Sequence, residues 1–164
     1  MAWITPTILP LSTWLFSLWQ KTENQSVILN SIQEQWLWKK VSQQPWPTIQ
    51  TIQQAWEILH AWQIDLTLIR KHSNDTVNAF LQWAEDFITQ CQQHQWISSA
   101  EIPCQLLSAD NIEKHLPESI YLTGFDDLPP IVTKLFQKFK TQCHIKTIEQ
   151  KPSKSKVIRF ELDN

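Results

Sequence analysis

Ser119-Ile120-Tyr121-Leu122-Thr123-Gly124-Phe125-Asp126-Asp127-Leu128-Pro129-Pro130 is the stretch at which the pattern of this chain changes. β-Branched and aromatic residues crowd positions 119–123, the signature of a short strand. The only glycine of the chain follows as a turn. Pro129-Pro130 then open a helix running to about Lys140, with Ile131, Leu135 and Phe139 inward, because proline suits a first turn whose amides have no partner in any case. Residues 143–148 and 156–162 read as two further strands, joined by an exposed Lys/Ser/Pro loop over 150–155. A parallel pair needs a crossover of about a dozen residues. Strand, helix and strand across 119–148 therefore predict a βαβ unit, normally right-handed. Two or three strands alone make a poor sheet, so the missing strands are expected in flanking sequence or in another chain.

Upstream, nearly everything reads as helix. Leu11, Trp14, Leu15 and Leu18 recur at three- and four-residue spacing behind Pro10. A second helix is expected over about 26–43, with Leu29, Ile32 and Trp36 on one stripe and Trp38 around the side, stopping at Pro45-Trp46-Pro47. A third runs from about Thr48 with Ile49, Ile52, Trp56 and Leu59 in helical period. The clearest helix covers 75–94. Asn74 or Asp75 can cap it, and Val77, Phe80, Leu81, Ala84, Phe87, Ile88 and Cys91 form an unbroken apolar seam. Ser98-x-x-Glu101 and Asp110-x-x-Glu113 resemble capping boxes that start two shorter helices. The fold class is thus mainly α with a small C-terminal α/β part: a bundle-like helical region over 1–117, then β-α-β(-β) over 118–164, the latter a piece of a larger domain.

A chain of 164 residues with 42% hydrophobic and 18% charged residues and ten Trp has too much apolar surface to stay disordered. A single glycine excludes the GxxxxGK[ST] and GxGxxG phosphate loops, which need several glycines for backbone amides to approach a ligand. Three cysteines, Cys91, Cys104 and Cys143, form neither a disulfide ladder nor a CxxC pair and suit a reducing compartment. No apolar run reaches the roughly 20 residues that span a bilayer. A soluble cytoplasmic protein with no membrane contact is the expectation. The net charge of −2 is uneven: residues 1–133 carry −7 and residues 134–164 carry +5. A basic end can contact nucleic-acid phosphates by displacing counterions, or simply be solvated.

Four constellations could carry chemistry. Asp126 and Asp127 follow a strand end, where ligands of open α/β sheets sit. Neighbouring extended residues point opposite ways, however, and Asp127 is also placed to cap the helix that follows. Cys91 and His94, one helical turn apart, could bind zinc with Cys104, His115, Cys143 or His144. The spacing matches no strong template, and Cys91 continues an apolar seam, which favours a buried thiol. No signature ties a cysteine to a histidine for nucleophilic catalysis. Trp3, Trp38, Trp46 and Trp96 fit the helical stripes least well, so if exposed they could stack on bases or fill a partner's pocket.

The order of Thr13-Trp14-Leu15 with Trp19, Ile32-Gln33-Glu34-Gln35-Trp36-Leu37-Trp38, Ala55-Trp56, Phe80 with Trp83 and Phe87, Trp96-Ile97 with Ala100, and Leu122-Thr123-Gly124-Phe125-Asp126-Asp127-Leu128-Pro129 resembles a bacterial family of DNA repair proteins. That family joins a degenerate superfamily I helicase-like region to a C-terminal PD-(D/E)XK nuclease. The resemblance implies that residues 1 to about 117 are a helical accessory insertion and that 119–123 stands in the place of the Walker B strand. Active relatives end this strand in Asp-Glu. Here the two places are Thr123 and Gly124, with Phe125 at the family's aromatic and Asp127 at its later Asp. Neither a hydroxyl nor a hydrogen can replace the metal-holding and water-positioning carboxylates. The resemblance therefore implies a non-catalytic, cofactor-free segment of a helicase–nuclease-like protein, with the rest of the parent protein or a helicase–nuclease partner alongside. If it contacts DNA, Lys151, Lys154, Lys156 and Arg159 are the expected phosphate contacts. The alternative is a stand-alone helical protein-interaction module with an exposed apolar patch. A hydrolase centred on Asp126 ranks third.

Overall fold

A computed structural model describes residues 7–22, 26–71, 74–110, 112–125 and 127–148. Among them are helices α1 (Leu11–Trp19), α2 (Ser31–Ser42), α3 (Trp46–Trp62), α4 (Leu66–Lys71), α5 (Asp75–His94), α6 (Ile102–Ser108) and α7 (Pro130–Phe139). Strands β1 (Val27–Ile28), β2 (Trp96–Ile97), β3 (Ser119–Thr123) and β4 (His144–Ile148) form two separate two-stranded parallel sheets, β1 with β2 and β3 with β4. Short 3-10 turns lie at Ser99–Glu101 and Ile112–His115. The chain is mainly helical with a small α/β part. The expected third strand over 156–162 and the loop over 150–155 lie outside the described residues.

The helix at 75–94 forms as its seam requires. The Asn74 side chain accepts from the Val77 amide at 3.0 Å, and Leu81, Ala84, Phe87 and Cys91 are buried. α3 buries Ile49, Ile52, Trp56 and Leu59, as their period predicts. α2 departs from expectation. It starts at Ser31 rather than near residue 26, because Asn30 and Gln33 close a reciprocal capping box that fixes the first turn. Its buried stripe is Glu34, Leu37, Trp38 and Ser42. Ile32 and Trp36 face solvent, and Trp38, expected at the side, is fully buried. The i, i+3, i+4 spacing of 34, 37 and 38 was present in the sequence, but a glutamate at its head disguised it. Residues 27–28, expected as helix, instead pair with Trp96 and Ile97.

Two apolar clusters make the core. One joins α2, α3 and α5 around Trp38, whose ring stacks on Phe87 at 3.9 Å with a 7° interplanar angle and meets Trp56 edge-on at 5.6 Å. The other joins Leu15, Leu18 and Trp19 of α1 to Leu106, Ile112, Leu122 and the inner face of α7. That second cluster runs across residue 117: Trp14 near the chain start stacks on Phe136 at 6.0 Å. β3 and β4 pair in parallel with Ser119 opposite His144 and Thr123 opposite Ile148, joined through α7 as the crossover predicts. The helix itself starts on Pro129 without any side-chain cap. Asp127, expected as that cap, stands two residues too early, since only the residue directly before the first turn can reach its amides.

With one glycine in the chain, helix ends that need a left-handed residue must find another. Gln43, Gln63 and Gln95 end α2, α3 and α5 at φ of 57°, 53° and 56°, a region where a Cβ costs about 1–2 kcal/mol. Glycine would remove that strain and return part of the gain through its freer unfolded chain. Gln43→Gly and Gln95→Gly are each expected to raise stability by about 0.5–1 kcal/mol, whereas Trp38→Ala should lower it by about 3–5 kcal/mol. Urea midpoints measure both, and no gain in either glycine variant would contradict the strain assignment.

Candidate functional site

The strand end singled out by sequence lies on the surface. Thr123, Gly124, Phe125 and Asp127 are exposed, and Asp126 lies outside the described residues. Gly124 has φ 79°, and a Cβ built on it would meet nothing within 4 Å. The glycine therefore serves the left-handed turn, and no neighbouring protein atom crowds the position. Thr123 and Gly124 bring no carboxylate to this end of β3. Lys151, Lys154, Lys156 and Arg159 lie outside the described residues. Of the basic residues that are described after residue 133, Lys138 is tied inward: its Nζ donates to the Leu107 and Ala109 carbonyls, each at 2.9 Å. Lys134 Nζ donates to Gln63 Oε1.

Among the described residues no three His, Cys, Asp or Glu side chains converge as a metal site. Cys91 sits in the core as its seam predicts, and burial, then the charges of Glu101 and Glu34, push its thiol up to about 12. A thiol so placed is not a nucleophile near neutrality. Burial raises Cys104 and Cys143 as well.

The structure does assemble a polar centre that sequence reasoning missed. Glu34 of α2 is 0% exposed, and neither carboxylate oxygen has a hydrogen-bond partner. The buried indole N–H groups of Trp38 and Trp56 also lack acceptors. The β1–β2 pairing delivers Ser98 to this spot directly after Ile97. Ser98 is itself buried, its amide donates to Glu101 Oε2 at 2.8 Å, and its hydroxyl oxygen accepts from the Ala100 amide at 3.2 Å. Burial raises the Glu34 carboxyl above its ordinary 4.5, and the charge of Glu57 on α3 adds to this. The nearby Ser98 hydroxyl, Trp38 indole and Ser99 amide pull the other way without forming well-made hydrogen bonds. Burial likewise raises Glu101 and lowers His60, which lies edge-on to Trp56 at 4.3 Å. The signal in the sequence was the placement of Glu34 at the head of the stripe with Leu37 and Trp38.

Two cavities flank the Ser98–Glu101 turn. The larger, about 580 Å³, is a groove between α1, α3, α6 and α7, with Phe16, Glu57, Ala61, Ile102, Pro103 and Ile131 among its walls. The smaller, about 340 Å³, is bordered by Cys91, Trp96, Glu101 and Gln105. Exposed apolar residues are numerous on the helical part. Trp36 and Trp46 meet edge-on at 4.9 Å on the surface, and Trp96 is half-buried over His94 at 4.4 Å. Trp3 lies outside the described residues. No helix among the described residues is long and apolar enough to cross a membrane. No protein-family model and no curated protein matches the chain.

The raised Glu34 pKa has a definite sign in stability. Its folded value exceeds its unfolded one, so the folded state holds the proton more tightly. The contribution is fully present below the unfolded value of 4.5 and is lost as pH rises from there through the folded value. Glu34→Gln keeps the shape and removes the titration. The variant is therefore expected to gain stability relative to wild type as pH increases across that window. Urea midpoints from pH 4 to 9 read the difference, and parallel profiles for the two proteins would refute the buried-carboxyl assignment.

Proposed function

We propose that this chain is a non-catalytic, architectural and DNA-contacting segment of a DNA repair helicase–nuclease-like protein. The observation that supports this most is the β3–α7–β4 unit, a parallel pair with a helical crossover, whose first strand ends in Thr123 and Gly124 where a motor would carry Asp and Glu. A strand end with a hydroxyl and a hydrogen has no group to hold a metal or orient an attacking water, which suits a scaffold. Parallel sheets are ordinarily covered on both faces and built from more strands. Among the described residues β3 and β4 pair only with each other, and Tyr121 is exposed. Further strands and a covering layer would come from the remainder of the parent protein or a helicase–nuclease partner. The DNA contacts in this proposal are Lys151, Lys154, Lys156 and Arg159, and its setting is the cytoplasm.

A second reading, a protein-interaction module, is favoured by the apolar groove and by the exposed indoles of Trp36, Trp46 and Trp62.

Two measurements decide the first reading. Purified chain is expected to show no ATP turnover with magnesium, and turnover would end it. Replacing the four basic residues with Gln is expected to weaken DNA binding alike for every sequence and to flatten the dependence of log affinity on log salt by about 3. Unchanged affinity in that variant, or no binding by wild type at low salt, would remove the DNA assignment.

A further inference from the structure

We propose that the groove between α1, α3, α6 and α7 docks an amphipathic helix of a partner protein, one that carries lysine or arginine beside its apolar stripe. This deepens the protein-interaction reading and is independent of the DNA-contact one.

The groove is apolar along Phe16, Ala61, Ile102, Pro103 and Ile131, and Glu57 is the one charged residue on its walls among the described residues. Glu57 is exposed and makes no ion pair among them. A docked cation would meet this carboxylate at the edge of a desolvating surface, where charge pairing selects the partner.

The apolar surface also extends past the cavity. On α3, Ile58 and Trp62 follow Glu57 and Ala61 by one residue each, about 100° further round the helix, and they are 52% and 55% exposed. Helix-in-groove docking asks for such an apolar trough bounded by helices and read at i, i+3 and i+4 positions. A second copy of the chain fits less well. Two-fold docking of the same face on itself sets one concave groove against another and fills neither.

The test uses the full chain and two fluorescein-labelled designed peptides of about 18 residues, long enough to be helical. Both have the same leucine stripe, and their flanking polar positions are Lys in one and Glu in the other. Fluorescence anisotropy is expected to show saturable binding of the Lys peptide at least about tenfold tighter than the Glu peptide. Glu57→Lys should reverse that preference and Glu57→Gln abolish it, while Ala61→Glu weakens both and Trp36→Ala, away from the groove, changes neither. Circular dichroism melts check that each variant is folded, and the exposed position of Glu57 makes its two variants the ones to rely on. Binding of neither peptide, equal binding of both, or a preference untouched by Glu57→Lys overturns the proposal. So does self-association of the chain that Ala61→Glu abolishes, which would assign the groove to a second copy. Binding of some other partner that depends on Trp36 and Trp46 would leave the interaction reading standing and move it away from this groove.

Discussion

The flat contact between Trp38 and Phe87, 3.9 Å between ring centroids, is the constraint around which the helical part is arranged. Two rings can lie parallel at that distance only if α2 and α5 approach closely and in one rotational setting. Trp56 then closes the third side from α3. Aromatic rings carry large buried area together with directional preferences, so this trio fixes both the spacing and the rotation of three helices. The rotation has a further effect. Turning Trp38 and Leu37 inward turns Glu34 inward with them, since residues 34, 37 and 38 share one helical face, and turns Ile32 and Trp36 out to solvent.

The buried carboxyl is thus a consequence of the aromatic packing, and the rest of its surroundings limits the damage. Ser98 and the Ser99 amide approach it from the 3-10 turn, the Trp38 indole from its own helix. Their donors are too few and too poorly aimed to sustain a charge, so the group is held toward its neutral form, the ordinary resolution for an ionisable side chain taken out of water. Glu57 connects this interior to the surface. It raises the Glu34 pKa through space and lines the apolar groove on the other side of α3. One carboxylate is therefore shared, electrically, between the core and the apolar groove.

The α/β part contributes a different kind of constraint. α7 is buried on its inner face by Ile131, Leu135 and Phe139 against α1 and α6, and Lys138 closes the end of α6 by donating to its carbonyls. The β3–β4 pair is therefore anchored to the helices through α7 and is not an appendage. Its outward side chains, Tyr121 among them, stay in water. A parallel sheet ordinarily has both faces covered, and the proposed larger assembly draws its support from that exposure.

Much of this was legible in local pattern. The seam of 75–94, the stripe of α3, the strand at 119–123, the helix opened by Pro129-Pro130 and the parallel crossover all appear where periodicity and turn chemistry put them, because each is specified by neighbours a few residues apart. The second helix was misread for the same reason in reverse: its apolar residues at 29, 32 and 36 line up as well as 34, 37 and 38 do, and a glutamate made the true stripe look solvated. The pairing of Val27–Ile28 with Trp96–Ile97, the arrival of Ser98 beside Glu34 and the groove walled by four separated helices leave no mark in any short window. What the sequence by itself determined was the order and kind of most elements. Tertiary structure alone decided which face of α2 is buried, that a carboxyl lies in the core, and where the apolar surface remains open, since those depend on packing between residues far apart in the chain, as Trp38 and Phe87 or Glu34 and Ser98 are, and periodicity within a helix cannot rank two competing faces until a partner surface covers one.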